Sequence, residues 1–225
     1  MAIFSRAHIS DFVSTIGKIL ESLLNKKREI TIAVPGGSTP ILYLDAISKL
    51  DLDWERINIF LTDERWVETT SNHSNEKQIR DYLLRNNATR AKFYGIYQFN
   101  LNPATGAAAC SRKFKEINST FDLVILGMGS DTHIASIFPG NIDIYNSNDI
   151  YAAVTEEATL GLPRVTLTPT AISHSVYVVL AISGIKKENS LASVWESNDI
   201  IDNPVLLLKD IRVDTLSVYS LQDTP

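Results

Sequence analysis

Two side chains stand out as able to move a proton: Asp131 and His133, two positions apart at the end of the run Phe121-Asp122-Leu123-Val124-Ile125-Leu126-Gly127-Met128-Gly129-Ser130-Asp131-Thr132-His133. Histidine changes charge near neutral pH, so it can take a proton and return it within one reaction. The run opens as an apolar strand and passes into glycines before it delivers the pair. A dinucleotide fingerprint in this place would need glycine at position 132, and Thr132 occupies it. The spacing leaves contact between the two open, because alternate residues can point to opposite sides of the chain.

A second charged group, Asp63-Glu64-Arg65, follows the apolar run Ile57 to Leu61 and Thr62. Carboxylates beside an arginine can assist proton transfer and stabilise a developing oxyanion; a salt-bridge cluster at a strand end would use the same residues. Pro35-Gly36-Gly37-Ser38-Thr39-Pro40 offers close backbone approach through its glycines and hydroxyl donors. A helix starting near Thr39 would aim free N–H groups at the loop, so Gly36, Gly37, Ser38 and Thr39 form a candidate phosphate seat. An ordinary turn capped by Ser38 or Thr39 would look alike. It is not a P-loop, since the Gly-Lys-Ser/Thr ending is absent. Arg164 and Lys187 stand near the ends of two further β-rich runs and suit a phosphate, arginine as a fork and lysine as a point charge.

The elements that must position these residues are legible from periodicity. Ile9, Phe12, Val13, Ile16, Ile19, Leu20, Leu23 and Leu24 fall on one helical face. A strand over 29–34 then leads into the glycine loop and a helix through Leu50. The same order recurs: a strand over 57–61 before a helix near 75–84, one over 92–97 before a helix near 104–117, one over 123–126, and one over 176–182 before a helix through Trp195. Strands alternating with helices predict an α/β fold, a Rossmann-like, mostly parallel sheet with helices on both faces. Ligands of such sheets sit beyond the carboxyl ends of the strands, where all the candidate residues fall. Residues 1–225 read as a single domain, with an irregular loop or minor lobe near 140–160. The runs Pro204 to Leu208 and Thr215 to Tyr219 look like late strands, with an antiparallel arrangement open to them.

Composition narrows the partners. The 225 residues carry 21 Lys and Arg against 26 Asp and Glu, a net charge of −5, which argues against a nucleic acid or anionic membrane held by a broad basic field. The single cysteine, Cys110, excludes an intrachain disulfide and fits the cytoplasm. Residues 1–8 lack the build of a secretory signal, and no stretch offers about 18 uninterrupted apolar residues, so a soluble protein is expected.

Taken together and in order, the segments resemble the 6-phosphogluconolactonase family, within the larger group that includes glucosamine-6-phosphate deaminases. The matching pieces are Gly36-Gly37-Ser38-Thr39-Pro40, Asp63-Glu64-Arg65-x-Val67, Ser74-Asn75 before a helix with Arg80, Gly127-x-Gly129-x-Asp131-x-His133-x-Ala135-Ser136-x-Phe138-Pro139, Arg164-Val165-Thr166-Leu167 and Gly184-x-x-Lys187. Arg65 and Ser136-Ile137-Phe138-Pro139 favour the lactonase branch over the deaminases, which carry Asp-Glu-Tyr and Phe-Asn-Glu-Pro there. Thr132 and Glu68 depart from the family's usual glycine and proline. The resemblance implies hydrolysis of 6-phospho-D-glucono-1,5-lactone in the oxidative pentose phosphate pathway. His133 is then expected as base, Arg65 at the oxyanion, Asp131 or Asp63 as orienter, and Gly36, Gly37, Ser38, Thr39, Arg164 and Lys187 at the phosphate. No metal or cofactor is expected, and the protein would act as a monomer or small homo-oligomer. The rival readings are a glucosamine-6-phosphate deaminase or isomerase and a noncatalytic sugar-phosphate-binding protein.

Overall fold

The computed structural model describes residues 5–155, 161–211 and 216–222. In chain order it contains β1 (Ser5–His8), α1 (Ile9–Leu24), β2 (Ile30–Val34), α2 (Ser38–Ser48), β3 (Ile57–Leu61), β4 (Asp63–Arg65), α3 (Asn75–Tyr82) and β5 (Lys92–Tyr94). Then follow α4 (Pro103–Ile117), β6 (Leu123–Leu126), β7 (Tyr151–Val154), β8 (Arg164–Leu167), α5 (Pro169–Ser173), β9 (Tyr177–Ser183), α6 (Ile185–Val194) and β10 (Leu216–Gln222).

Among the described residues, seven strands pair in the order β1-β10-β9-β6-β2-β3-β5, and every pairing is parallel. Strands β2, β3 and β6 are buried at every position, odd and even alike, so both faces of the sheet are covered. That is why their sequences read as apolar runs, broken only by Thr31 and Asn58. A second sheet, β4-β8-β7, is antiparallel and sits beside the carboxyl ends of the first, where β4 follows β3 after one residue. One apolar cluster reaches from Phe12 to Leu221.

Chain direction within the large sheet decides where a ligand can go. From β2 the chain proceeds outward to β3 and β5, then returns to place β6 on the other side of β2 and continues to β9 and β10. The strand order therefore reverses between β2 and β6, and a crevice opens beyond their carboxyl ends. Val34 leads there into Pro35-Gly36-Gly37, and Leu126 leads into Gly127.

Two expectations need correction. Pro204–Asp210 is a 3-10 helix, not a strand: Pro204 heads it with no N–H to give to a ladder, and Val205 to Leu208 are buried in succession, a pattern that periodicity cannot assign to strand or helix. The C-terminal strand β10 runs parallel to β9 and β1, because the stretch 184–215 is long enough for a crossover. The antiparallel pairing lies in β4, β7 and β8 instead. Within the stretch near 140–160, Ile142–Asn146 form a 3-10 turn that leads into β7, and residues 156–160 and Thr215 lie outside the described residues. No described helix is long and apolar enough to cross a membrane.

Candidate active site

A cleft of about 270 Å³ occupies the crevice between β2 and β6. It gathers Gly36, Gly37, Ser38 and Thr39 from the β2–α2 loop, Asp63 and Arg65 from β4, Arg164 from β8, Lys187 from α6 and His133 from the loop after β6. Of the candidate catalytic and phosphate-binding residues, Asp131 does not line it, nor does Glu64 of the charged group.

Asp131 lies beside His133 instead. Its Oδ1 is 2.6 Å from His133 Nδ1, and the Nδ1–H donates to it, so Nε2 is left as the basic nitrogen. The hydrogen bond from His133 holds the Asp131 carboxyl below the usual carboxylate range. The loop that makes this contact is tight: Gly129 N–H donates to His133 O at 2.9 Å, and Thr132 N–H donates to Gly129 O at 3.2 Å. A Cβ on Gly129 would meet His133 Nδ1 at 2.3 Å and Asp131 Oδ1 at 2.4 Å. Gly129 is therefore required by the pair itself. Gly129→Ala is expected to push the imidazole off its orienting acid and cut turnover by about 10- to 10²-fold; steady-state kinetics giving the unaltered protein's kcat would refute that requirement. On the other side His133 packs against Phe138, ring centroids 4.8 Å apart, and the same phenyl ring carries the Arg164 guanidinium at 5.3 Å.

Thr132 adopts φ 70°, the left-handed region that a β-branched residue resists. Its hydroxyl is buried with no hydrogen-bond partner among the described residues. The loop keeps this geometry because Val205 N–H, in the turn that replaces the expected strand, donates to Thr132 O at 3.1 Å, and Ser190 Oγ donates to Ser130 O at 2.9 Å. Replacing Thr132 by glycine removes the backbone strain and the unsatisfied hydroxyl at the cost of a buried methyl. A net gain of about 1 kcal/mol is expected, read as a higher urea midpoint at unchanged slope; a lower midpoint would contradict it.

The small sheet supplies the cations. In the β4–β8 pairing Arg65 stands directly opposite Arg164, so both side chains project from one face of the small sheet. Arg65 Nη1 donates to His73 O at 2.8 Å and to Asn75 Oδ1 at 3.0 Å, while its Nε–H is buried without a partner among the described residues. Arg164 is almost fully buried, with Nη1 3.8 Å from Asp63 Oδ2; burial lowers its pKa.

Asp63 is bound into this framework and not to His133. It accepts from Ser136 Oγ at 2.5 Å and from Asn75 Nδ2 at 3.1 Å. Beneath it, Glu64 is fully buried. Burial pushes its carboxyl up to about 7, although the backbone N–H groups of Glu76, Asn75 and Arg65 pull the other way. Asn75, Glu64, Gly129 and Phe138 were not singled out individually by sequence reasoning. Ser74-Asn75 stood only among the pieces that resemble the family; the structure makes Ser74 the N-cap of α3, accepting from Lys77 N–H.

The glycine loop has two distinct requirements. Gly37 caps α2 at φ 111°, which glycine alone adopts readily, and its N–H donates to Gln78 Oε1 at 2.7 Å. Gly36 makes room for Asn75, since a Cβ there would lie 2.2 Å from Asn75 Oδ1. Lys187 Nζ reaches Thr39 Oγ1 at 3.4 Å, bringing the first turn of α6 to the first turn of α2; burial lowers the lysine's pKa.

The sequence pattern of one family, glucosamine-6-phosphate isomerases/6-phosphogluconolactonase, matches residues 5–216. A 6-phosphogluconolactonase of Rhizobium meliloti is 32% identical over 208 residues, covering 91% of this chain and 90% of its own. One of Thermotoga maritima is 34% identical over 197 residues, covering 86% and 87%. A crystal structure of a 6-phosphogluconolactonase from Shewanella baltica superposes with a TM-score of 0.92 at 27% identity, over 99% of this chain and 98% of that one.

Proposed function

The chain belongs to the family of glucosamine-6-phosphate isomerases and 6-phosphogluconolactonases, and we propose that His133 is the base with which its cleft opens a phosphorylated sugar lactone. The activity is that of the lactonase branch, hydrolysis of 6-phosphogluconolactone to 6-phosphogluconate in the pentose phosphate pathway. One observation carries the assignment of the base: the imidazole borders the cleft with Nδ1 spent on Asp131, which leaves Nε2 to face a water.

In this scheme the phosphate sits against the start of α2, where Gly37, Ser38 and Thr39 offer donors and Lys187 and Arg164 supply charge; Gly36 lets that loop close. With the phosphate held, the lactone carbonyl has one approach to the base, which is the effect of orientation on rate. His133 Nε2 takes a proton from water as the water oxygen bonds to the carbonyl carbon. The carbonyl electron pair moves onto oxygen, and the Arg65 guanidinium, which borders the cleft, meets that oxyanion. When the tetrahedral centre collapses, the bond to the ring oxygen breaks and His133 returns the proton to it, leaving the acid and a free hydroxyl. Asp131 keeps the imidazole in the tautomer this needs and stabilises the imidazolium between the two steps. Asp63, bonded to Ser136 and Asn75, holds the framework around Arg164 rather than the water.

Residues 1–225 act as one domain in this reading, since both sheets contribute to one cleft. The lactone is a small soluble metabolite, and the cytoplasm is the compartment proposed.

The test is acid release from freshly generated 6-phosphogluconolactone, followed by pH-stat against the spontaneous rate, beside an ammonia assay on glucosamine-6-phosphate. Acceleration in the first alone is expected. Ammonia release would move the chain to the deaminase branch, and acceleration in neither would leave a sugar-phosphate-binding protein.

A further inference from the structure

Glu64 lies between two cleft residues of β4, yet does not line the cleft. Both its carboxylate oxygens are surrounded by donors. Oε1 accepts from the N–H groups of Arg65 and Asn75, each at 2.8 Å; Oε2 accepts from Glu76 N–H at 2.7 Å and Ser74 Oγ at 3.0 Å. A carboxylate accepts through both oxygens, whereas an amide of the same shape would turn an NH2 against donors. Three of the four partners belong to the N-cap and first turn of α3, whose unpaired N–H groups attract an anion. Glu64 thus fastens the start of α3 to β4.

What that fastening positions is Asn75, the first residue of α3. Its Oδ1 accepts from Arg65 Nη1 at 3.0 Å, and its Nδ2 donates to Asp63 O at 2.9 Å and Asp63 Oδ1 at 3.1 Å. The absent side chain of Gly36 lets the β2–α2 loop close onto the same amide. Asn75 borders the cleft and Glu64 does not, and the hydrolytic scheme gives neither a step.

We propose that Glu64 and Asn75 are positioning residues: the Glu64 carboxylate sets the start of α3, and the Asn75 amide aims the Arg65 guanidinium at the lactone carbonyl. The inference rests on the oxyanion role given to Arg65. It makes the loss from either residue depend on Arg65 being present, which a general structural role would not.

The experiment is a set of double-mutant cycles on the full chain with fresh lactone, pairing Asn75→Ala and Glu64→Gln each with Arg65→Ala. Thermal melting and 6-phosphogluconate affinity accompany the kinetics. Asn75→Ala is expected to lower kcat by about 10- to 10²-fold with KM changed by less than about twofold. In the Arg65→Ala background the same substitution is expected to cost less than about twofold more, because the group it positions is gone. Glu64→Gln should behave alike, and it decides the matter if Asn75→Ala does not fold. Losses carried in full into the Arg65→Ala background, or turnover near that of the unaltered protein in Asn75→Ala or Glu64→Gln, would overturn the proposal. Turnover unaffected by Arg65→Ala itself would overturn it together with the oxyanion assignment. An unaltered protein without lactonase activity would sink the function first.

Discussion

Replacing His133 by alanine is expected to lower turnover by about 10²- to 10⁴-fold, the usual contribution of a positioned general base and acid. The size follows from how completely the imidazole is prepared. Asp131 at 2.6 Å fixes the tautomer, the missing Cβ of Gly129 allows that contact, and Phe138 limits the ring's freedom on its other side. An alanine leaves the water without an acceptor and the departing ring oxygen without a donor, so both halves of the reaction slow. Phosphate contacts come from other segments, so affinity for 6-phosphogluconate, measured by calorimetry, should stay within about twofold of the unaltered protein. The pH dependence carries a further mark. A carboxylate whose folded pKa is lowered contributes above its ordinary value and loses that contribution as pH falls through the lowered one. Asp131 is such a group, so it remains an anion while the imidazole above it takes up and releases its proton. Protonation of Asp131 should therefore not reduce kcat until pH falls below the ordinary carboxylate range. A kcat near that of the unaltered protein would remove His133 from the role.

Arg65→Ala should lose about 10²- to 10³-fold in kcat, the effect of deleting one oxyanion donor. Arg65→Lys should recover little of it. Nη1 of the guanidinium donates to His73 O and Asn75 Oδ1, which fixes the plane of the group where it borders the cleft. A guanidinium held in place gains more from an anionic oxygen than from a neutral carbonyl, which favours the transition state over the lactone. An ammonium is a single point charge and cannot hold two framework acceptors while presenting a third donor along a fixed direction. Removal of Arg65 also leaves Arg164 without its like-charged neighbour across the β4–β8 pair, so product binding should weaken modestly at most. Steady-state kinetics of the two variants decide the matter: a lysine variant within a few-fold of the unaltered protein would mean that charge alone suffices and the fork does not act.

The α/β class and the place of the site were legible in the sequence for plain physical reasons. Strands buried on both faces must be mostly apolar, as β2, β3 and β6 are apart from Thr31 and Asn58, and helices that cover them must repeat at three and four residues. Both patterns are local. Glycines and charges that interrupt such patterns at strand ends stand out, so Gly36, Gly37, Asp63, Arg65, Asp131, His133 and Lys187 could be chosen before any tertiary contact was known. What failed was also local in origin. Val205 to Leu208 are buried from all sides, and an unbroken apolar run has no period from which to tell a 3-10 turn from a strand. The short edge strand β1, Ser5–His8, carries polar residues in mostly exposed positions and left no pattern to read.

Which residue does which task lay beyond the sequence, because it depends on contacts between segments far apart in the chain. The choice of Asp131 over Asp63 as partner of His133 was settled by a loop folded so tightly that Gly129 has no room for a side chain, while Ser136 and Asn75 bind Asp63 elsewhere. The antiparallel small sheet set Arg65 opposite Arg164, 99 positions later in the chain by their numbers, and gave the cleft its paired cations. By itself the sequence determined the elements and the reactive side chains, since periodicity and composition act over a few residues. Only the tertiary structure decided their partners, since hydrogen bonds and charges act through space and the reversal of strand order between β2 and β6 brings distant loops to one place.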